Sequence, residues 1–167
     1  MKVYHGSTVL VKEPNIEILN FKTDFGKGFY TTSDYKQAKR WTKIKIDRLK
    51  DPNITIGYIN VYEYTENGKL KILNFTEATE KWLDFVFENR YSNKLNHTYD
   101  IIKGPVANDN LYVTLQLYEN HILTKKQTIE RLKVYKLANQ ISFHSNEALK
   151  CIKYFENEEA VVNATNY

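Results

Sequence analysis

Apolar and polar residues alternate most clearly from Ile54 to Tyr64, where Ile54, Ile56 and Tyr58 and then Ile59, Val61 and Tyr62 mark a strand. Asn67-Gly68 is a hairpin-turn dipeptide, and Leu70, Ile72 and Leu73 read as the returning partner strand. Shorter β-prone stretches are Lys2–His5, ended by Gly6, and Phe29–Thr31, entered through a glycine-controlled turn. Pro14 and Asn15 break the chain ahead of Ile16 to Phe21. Helical spacing begins after Ser33 or Asp34, either of which can cap a helix through Gln37, Ala38, Trp41 and Ile44. A second helix starts at Thr76 and carries Trp82, Leu83, Phe85, Val86 and Phe87.

Further along, Tyr99–Ile102 reads as a strand stopped by Gly104-Pro105. Leu111–Leu117 and Thr124–Leu132 read as helices, the latter with Thr124 and Gln127 spaced as a capping box. A late strand spans Gln140–His144, Ser145 caps a short helix, and Ile152–Phe155 closes the series. Strands and helices are interspersed without regular βαβ order, so the expected class is α+β.

The 167 residues suit one domain with a single core, and no repeat, low-complexity tract or linker divides them. No apolar run approaches the ~20 residues of a membrane span, and the first residues lack a signal-peptide core. One cysteine, Cys151, excludes an intrachain disulfide and a cysteine-rich metal site; a cytoplasmic protein is the simplest expectation. The net charge of +4 permits a nucleic-acid partner without requiring one. Its basic residues cluster at Lys36–Lys50 and Lys125–Lys136, as two solvated helix faces or as an electrostatic footprint. His97, His121 and His144 are scattered and form no metal-ligand set with Cys151.

The candidate chemistry lies near the start. His5 offers a hydrogen bond to a ribose hydroxyl, Gly6 lets a ligand reach the backbone, and Ser7 adds a hydroxyl; equally, His5 is a half-buried residue at a strand end. Gly26-Lys27-Gly28 has neither the spacing nor the Lys-Ser/Thr ending of a phosphate loop. It bends the chain and sends Phe29 and Tyr30 to opposite faces of a strand. Trp41 follows Tyr30 by eleven residues, so the two rings either pack in the core or hold a flat ring between them. A cationic ring there gains roughly 0.5–2 kcal/mol from the aromatic faces.

His5-Gly6-Ser7, followed by Phe25-Gly26-Lys27-Gly28-Phe29-Tyr30 and an aromatic on the next helix, resembles ADP-ribosyltransferases of the diphtheria-toxin and poly(ADP-ribose) polymerase branch. The later stretches Gly104 to Asp109 and Gln140 to Phe143 look like those of small bacterial domains related to that branch. The resemblance implies two packed sheets with flanking helices and an NAD cleft between them. It implies NAD as substrate and transfer of one ADP-ribose to a macromolecule, either protein, RNA or DNA. It places His5, Gly6, Ser7, Gly28, Tyr30, Trp41 and Asn108 around the dinucleotide, with His5, Tyr30, Gln140 and Asp109 serving the reaction. By analogy the chain is the toxin of a toxin–antitoxin or phage-defence system, with a cognate antitoxin as partner and no membrane.

One position departs from the pattern. Active members of the branch that the chain resembles usually open the late strand with a glutamate, and this chain has Gln140. A carboxylate 4 Å from a developing cation contributes roughly 4 kcal/mol at an effective dielectric of 20, about a thousandfold in rate. Three expectations stay open: slow turnover, a substitute carboxylate at Asp109 or Asp100, or a module that binds NAD without consuming it. A nucleic-acid-binding protein without cofactor is the remaining rival.

Overall fold

The computed structural model describes residues 1–16, 23–51, 53–91, 97–106, 109–133 and 139–161. Its elements run β1 (Lys2–Ser7), β2 (Phe29–Thr32), α1 (Tyr35–Leu49), β3 (Ile56–Tyr64), β4 (Ile72–Asn74), α2 (Glu80–Tyr91), β5 (Ile101–Pro105), α3 (Asp109–Glu119), α4 (Lys125–Lys133), β6 (Asn139–Phe143), α5 (Asn146–Leu149) and β7 (Ile152–Val161). The class is α+β, as the interspersed pattern implies.

The strands form one mixed seven-stranded sheet in the order β4-β5-β6-β2-β1-β3-β7, rather than two separate sheets. Its continuity is thin at the middle, where β1 and β2 meet through a single register pair, Tyr4 with Thr32. In a flat sheet β6 and β3 would lie three strand spacings apart, about 14 Å at ~4.8 Å each. Instead the rings of Phe143 and Tyr64 are 5.7 Å apart, and those of Phe29 and Tyr62 are 5.6 Å apart. The sheet therefore curls at the seam, and its two halves enclose a shared core of Val3, Phe29, Tyr62, Tyr64, Ile101, Ile141 and Phe143.

Each half carries its own helical cover. Helix α1 lays Ala38 against Ile59 and Ala160, with Tyr4 and Tyr35 at the margin. Helices α2, α3 and α4 bury Trp82, Leu83, Val86, Leu115, Ile129 and Leu132 against Ile102 and Phe25. Caps follow the sequence closely. The Asp34 carboxylate accepts from the N–H groups of Lys36 and Gln37, and Ser145 accepts from Ala148. Thr124 and Gln127 exchange hydrogen bonds as a capping box.

Two expectations fail. The Asn67-Gly68 turn does not fold β4 back onto β3, because β1 and β7 occupy both edges of β3. Strand β4 pairs in parallel with β5 instead. Helix α2 begins at Glu80 and not at Thr76, because the Phe75 N–H still bonds to the Lys103 carbonyl and keeps the chain extended. No described helix is long and apolar enough to cross a membrane.

Candidate functional site

Strands β6, β2 and β1 are consecutive in the sheet, which brings Gln140, Tyr30 and His5 to its centre although more than a hundred residues separate the ends. Gln140 lies opposite Thr32 and beside Gly104. The His5 ring stacks on Phe29 at 4.5 Å, and its Nδ1 sits 2.6 Å from the Tyr30 carbonyl. A carbonyl can only accept, so Nδ1 carries the proton, and Nε2 of the neutral ring is an acceptor. His5 Nε2 is thus an acceptor, where the sequence led us to expect a donor. Burial, with Lys45 nearby, holds its pKa down at about 3.

Gly6 is where α1 crosses the sheet. A Cβ there would stand 2.3 Å from the Ala38 carbonyl oxygen and 2.6 Å from Thr42 Oγ1, so helix packing alone demands glycine. The Gly6 carbonyl accepts from Lys45 Nζ at 2.6 Å. Desolvation of that ammonium, with Arg48 adding repulsion, lowers the Lys45 pKa to about 8. Ser7 Oγ is buried and accepts from the Val9 N–H. Behind them the fully buried Asn60 accepts from the Val11 N–H and donates to the His5 carbonyl, pinning the chain on either side of the motif.

The glycine turn is held from below. Phe25, Gly26 and Lys27 present three successive carbonyls, bonded by His97 Nε2 at 2.9 Å, Tyr30 Oη at 2.6 Å and His144 Nδ1 at 2.8 Å. Tyr30 Oη also accepts from the Phe25 N–H and meets Thr23 Oγ1. Burial raises the pKa of this phenol, so it stays neutral. Of the two glycines only Gly26 has a positive φ, 79°. Gly28 is needed for space, since a Cβ would fall 2.6 Å from the His144 ring. His144 also receives Ser142 Oγ at 2.8 Å, and burial lowers its pKa to about 4. The rings of His97 and His144 meet edge to face at 4.7 Å, so these two histidines are not scattered. Among the described residues no set of three or more His, Cys, Asp or Glu side chains is placed to hold a metal.

Trp41 sits half-buried on α1 with the Arg48 guanidinium 5.7 Å over its ring. It makes no ring contact with Tyr30, whose ring stands perpendicular to that of His144 at 6.1 Å. Asp109 is the first residue of α3; its side chain, like all of Asn108, lies outside the described residues. Asp100, the other substitute carboxylate considered, is taken up by the Ser145 hydroxyl and the Lys71 N–H, which hold its pKa low.

Among the described residues Gln140 bonds a carboxylate that sequence reading passed over. Gln140 Nε2 donates to Asp24 Oδ2 at 2.9 Å, and Asp24 Oδ1 accepts from Arg90 Nε at 2.8 Å. Asp24 is 5% exposed and Gln140 7%. Position beside the Phe25-Gly26 turn was the only available signal for Asp24, and nothing local pointed to Arg90.

Residues 1–154 match a family described as a protein of unknown function, DUF3990. The chain belongs to the DUF3990 family. That match covers His5, Tyr30 and Gln140 alike, so the whole constellation lies within the DUF3990 region. No curated protein and no solved structure matches the chain.

Proposed function

We propose that this DUF3990 chain transfers a single ADP-ribose from NAD to a macromolecular acceptor. The observation that supports this best is that β6, β2 and β1 are neighbours in the sheet, so Gln140, Tyr30 and His5-Gly6-Ser7 come from adjacent strands. In this reading nicotinamide lies by Tyr30 and Trp41, and its carboxamide meets the Gly6 backbone. The Gly6 carbonyl has a second lone pair beside the one that Lys45 uses. His5 Nε2 and Gln140 Oε1 accept from ribose hydroxyls. The bond from nicotinamide nitrogen to the anomeric carbon breaks, its electron pair leaves with nicotinamide, and an acceptor nucleophile attacks the oxocarbenium-like carbon. The ADP-ribosyltransferase resemblance, with its fold and NAD cleft, extends this to a toxin acting on protein, RNA or DNA, with an antitoxin as partner.

A second reading is an inactive NAD- or ADP-ribose-binding module. Its motivation is the neutral Gln140 amide and the Lys45 ammonium on the Gly6 carbonyl. Calorimetric titration with NAD, together with chromatography for released nicotinamide, separates the two. Transfer predicts both binding and release. Binding without release identifies the module, and no heat at millimolar NAD rejects both. Tyr30→Ala weakens NAD binding more than Tyr35→Ala, whose hydroxyl bonds Glu158 at the exposed margin of α1. Tyr30→Phe keeps the ring and separates stacking from the hydroxyl's hold on the glycine turn.

A further inference from the structure

Gln140 departs from the pattern of active relatives, and its surroundings restrict what it can present. Its Nε2 donates to Asp24 Oδ2 at 2.9 Å and to the Pro105 carbonyl at 3.3 Å. Both partners can only accept, so the network itself decides which end of the amide is nitrogen. Both amide hydrogens are committed, and Oε1 is the end left to accept a hydrogen bond. The Asp24 carboxylate divides its two oxygens, Oδ1 to the Arg90 Nε and Nη2 groups and Oδ2 to Gln140. The Pro105 carbonyl is also fixed, because Trp82 Nε1 donates to it at 3.2 Å. Loop, β5, β6 and α2 thus converge on one amide.

We propose that Asp24 is a positioning residue that holds the Gln140 amide with its oxygen toward a ribose hydroxyl of NAD. The anionic group of the site then stands at position 24, one hydrogen bond behind the side chain that meets the substrate. This rests on the transfer reading above. It carries a consequence opposite to the simple one. Restoring a glutamate by Gln140→Glu sets a carboxylate against the Asp24 carboxylate and the Pro105 carbonyl, with no hydrogen between them. Asp24→Asn turns the Gln140 amide over and offers a donor instead of an acceptor. Combining Asp24→Asn with Gln140→Glu rebuilds the pair with the sense reversed. The new amide at position 24 donates to the new carboxylate at position 140, whose second oxygen again accepts; the repulsion from position 24 is gone and that from the Pro105 carbonyl stays.

The test uses the full chain with NAD, comparing kcat and KM for nicotinamide release in wild type, D24N, Q140E and the double variant. Each single change is expected to lower kcat about tenfold or more with KM within about threefold, and the double to recover about threefold or more over the weaker single without reaching wild type, since the Pro105 carbonyl still faces a carboxylate. A role in stability alone would not produce that split. Q140E as active as wild type, or a double variant no better than the weaker single, overturns the assignment while leaving the transfer reading intact. Wild type that neither binds NAD nor releases nicotinamide sinks the transfer reading and the substrate-facing role with it. Should Q140E fail to fold, wild type alone still decides the pairing by NMR. The Gln140 side-chain amide protons are expected to exchange with solvent far more slowly than those of exposed Gln116, and equal exchange overturns the proposal.

Discussion

The two halves of the curled sheet hold their candidate residues by different means. Under α1, His5, Gly6 and Ser7 are placed by backbone pairing along β1 and by a helix packed against the Gly6 Cα. Across the seam, Tyr30 and Gln140 are placed by side chains from distant segments: Asp24, Arg90, His97 and His144. The first half depends on close packing, where an added atom is the threat. In the second half a buried polar network is at stake, and a missing partner is the threat.

The largest expected effect therefore lies in the second half. Asp24→Ala removes the carboxylate shared by Arg90 and Gln140, and a broken buried pair costs about 3–5 kcal/mol, readable by urea unfolding. Lys2→Ala, at the exposed pair with Glu156, should leave the midpoint nearly unchanged. Equal losses for the two variants would show that the Asp24 network carries no special weight.

Acid probes both halves at once. His5 and His144 have folded pKa values of about 3 and about 4, below their ordinary 6.5. The unfolded chain therefore binds more protons in that interval. Stability is full above pH 6.5, falls as the pH drops, and stops falling for each ring below its folded pKa. At pH 5 each histidine accounts for a loss of about 2 kcal/mol, at about 1.4 kcal/mol per pKa unit. The groups facing His144 are the Lys27 carbonyl, Ser142, His97 and Asp100; those facing His5 are the Tyr30 carbonyl and Lys45. Thermal midpoints measured from pH 7 to 4 should fall throughout, and a flat profile would mean that neither ring is held neutral.

How much of this was readable in the sequence follows the same division. Elements whose signals are local came out within a few residues: β1, β2, α1 with its Asp34 cap, the Thr124–Gln127 box, β6 and the Ser145 cap. His5, Gly6 and Ser7 share β1, so their closeness in space follows from their closeness in sequence. The β3–β4 hairpin failed because turn residues say nothing about which strands have already taken the edges of β3. Strand β7 extends beyond Phe155 to Val161, since an edge strand tolerates the polar run Glu156 to Glu159 that reads as surface. The Asp24–Arg90–Gln140 network was invisible, as its members sit 116 and 66 residues apart; Gln140 stood out by its place at the head of a late strand, whereas Asp24 and Arg90 each look like ordinary surface residues.

Smaller effects test the packing half. Gly6→Ala drives a Cβ into the Ala38 carbonyl and should cost about 1–3 kcal/mol as α1 shifts. Gly68→Ala is the matched control, because nothing lies within 4 Å of its added carbon. Similar losses at both sites would remove the case that α1 fixes the His5-Gly6-Ser7 turn by contact.

Lys45→Met is expected to change stability least, because two terms oppose each other. It gives up the 2.6 Å bond from a charged donor to the Gly6 carbonyl, about 1.5–3 kcal/mol, and it relieves the burial that lowers the Lys45 pKa to about 8. Its value lies in the direction of two other readouts. The ammonium helps to depress the His5 pKa, so its removal should raise that pKa toward 6.5, seen by NMR titration of the ring. On the proposed transfer reading, the same change removes the ammonium that competes with a carboxamide at the Gly6 carbonyl, so NAD should bind more tightly to the variant. A rise in the His5 pKa with unchanged NAD affinity would confine Lys45 to electrostatics and move the carboxamide contact away from Gly6. No change in either would detach Lys45 from the site.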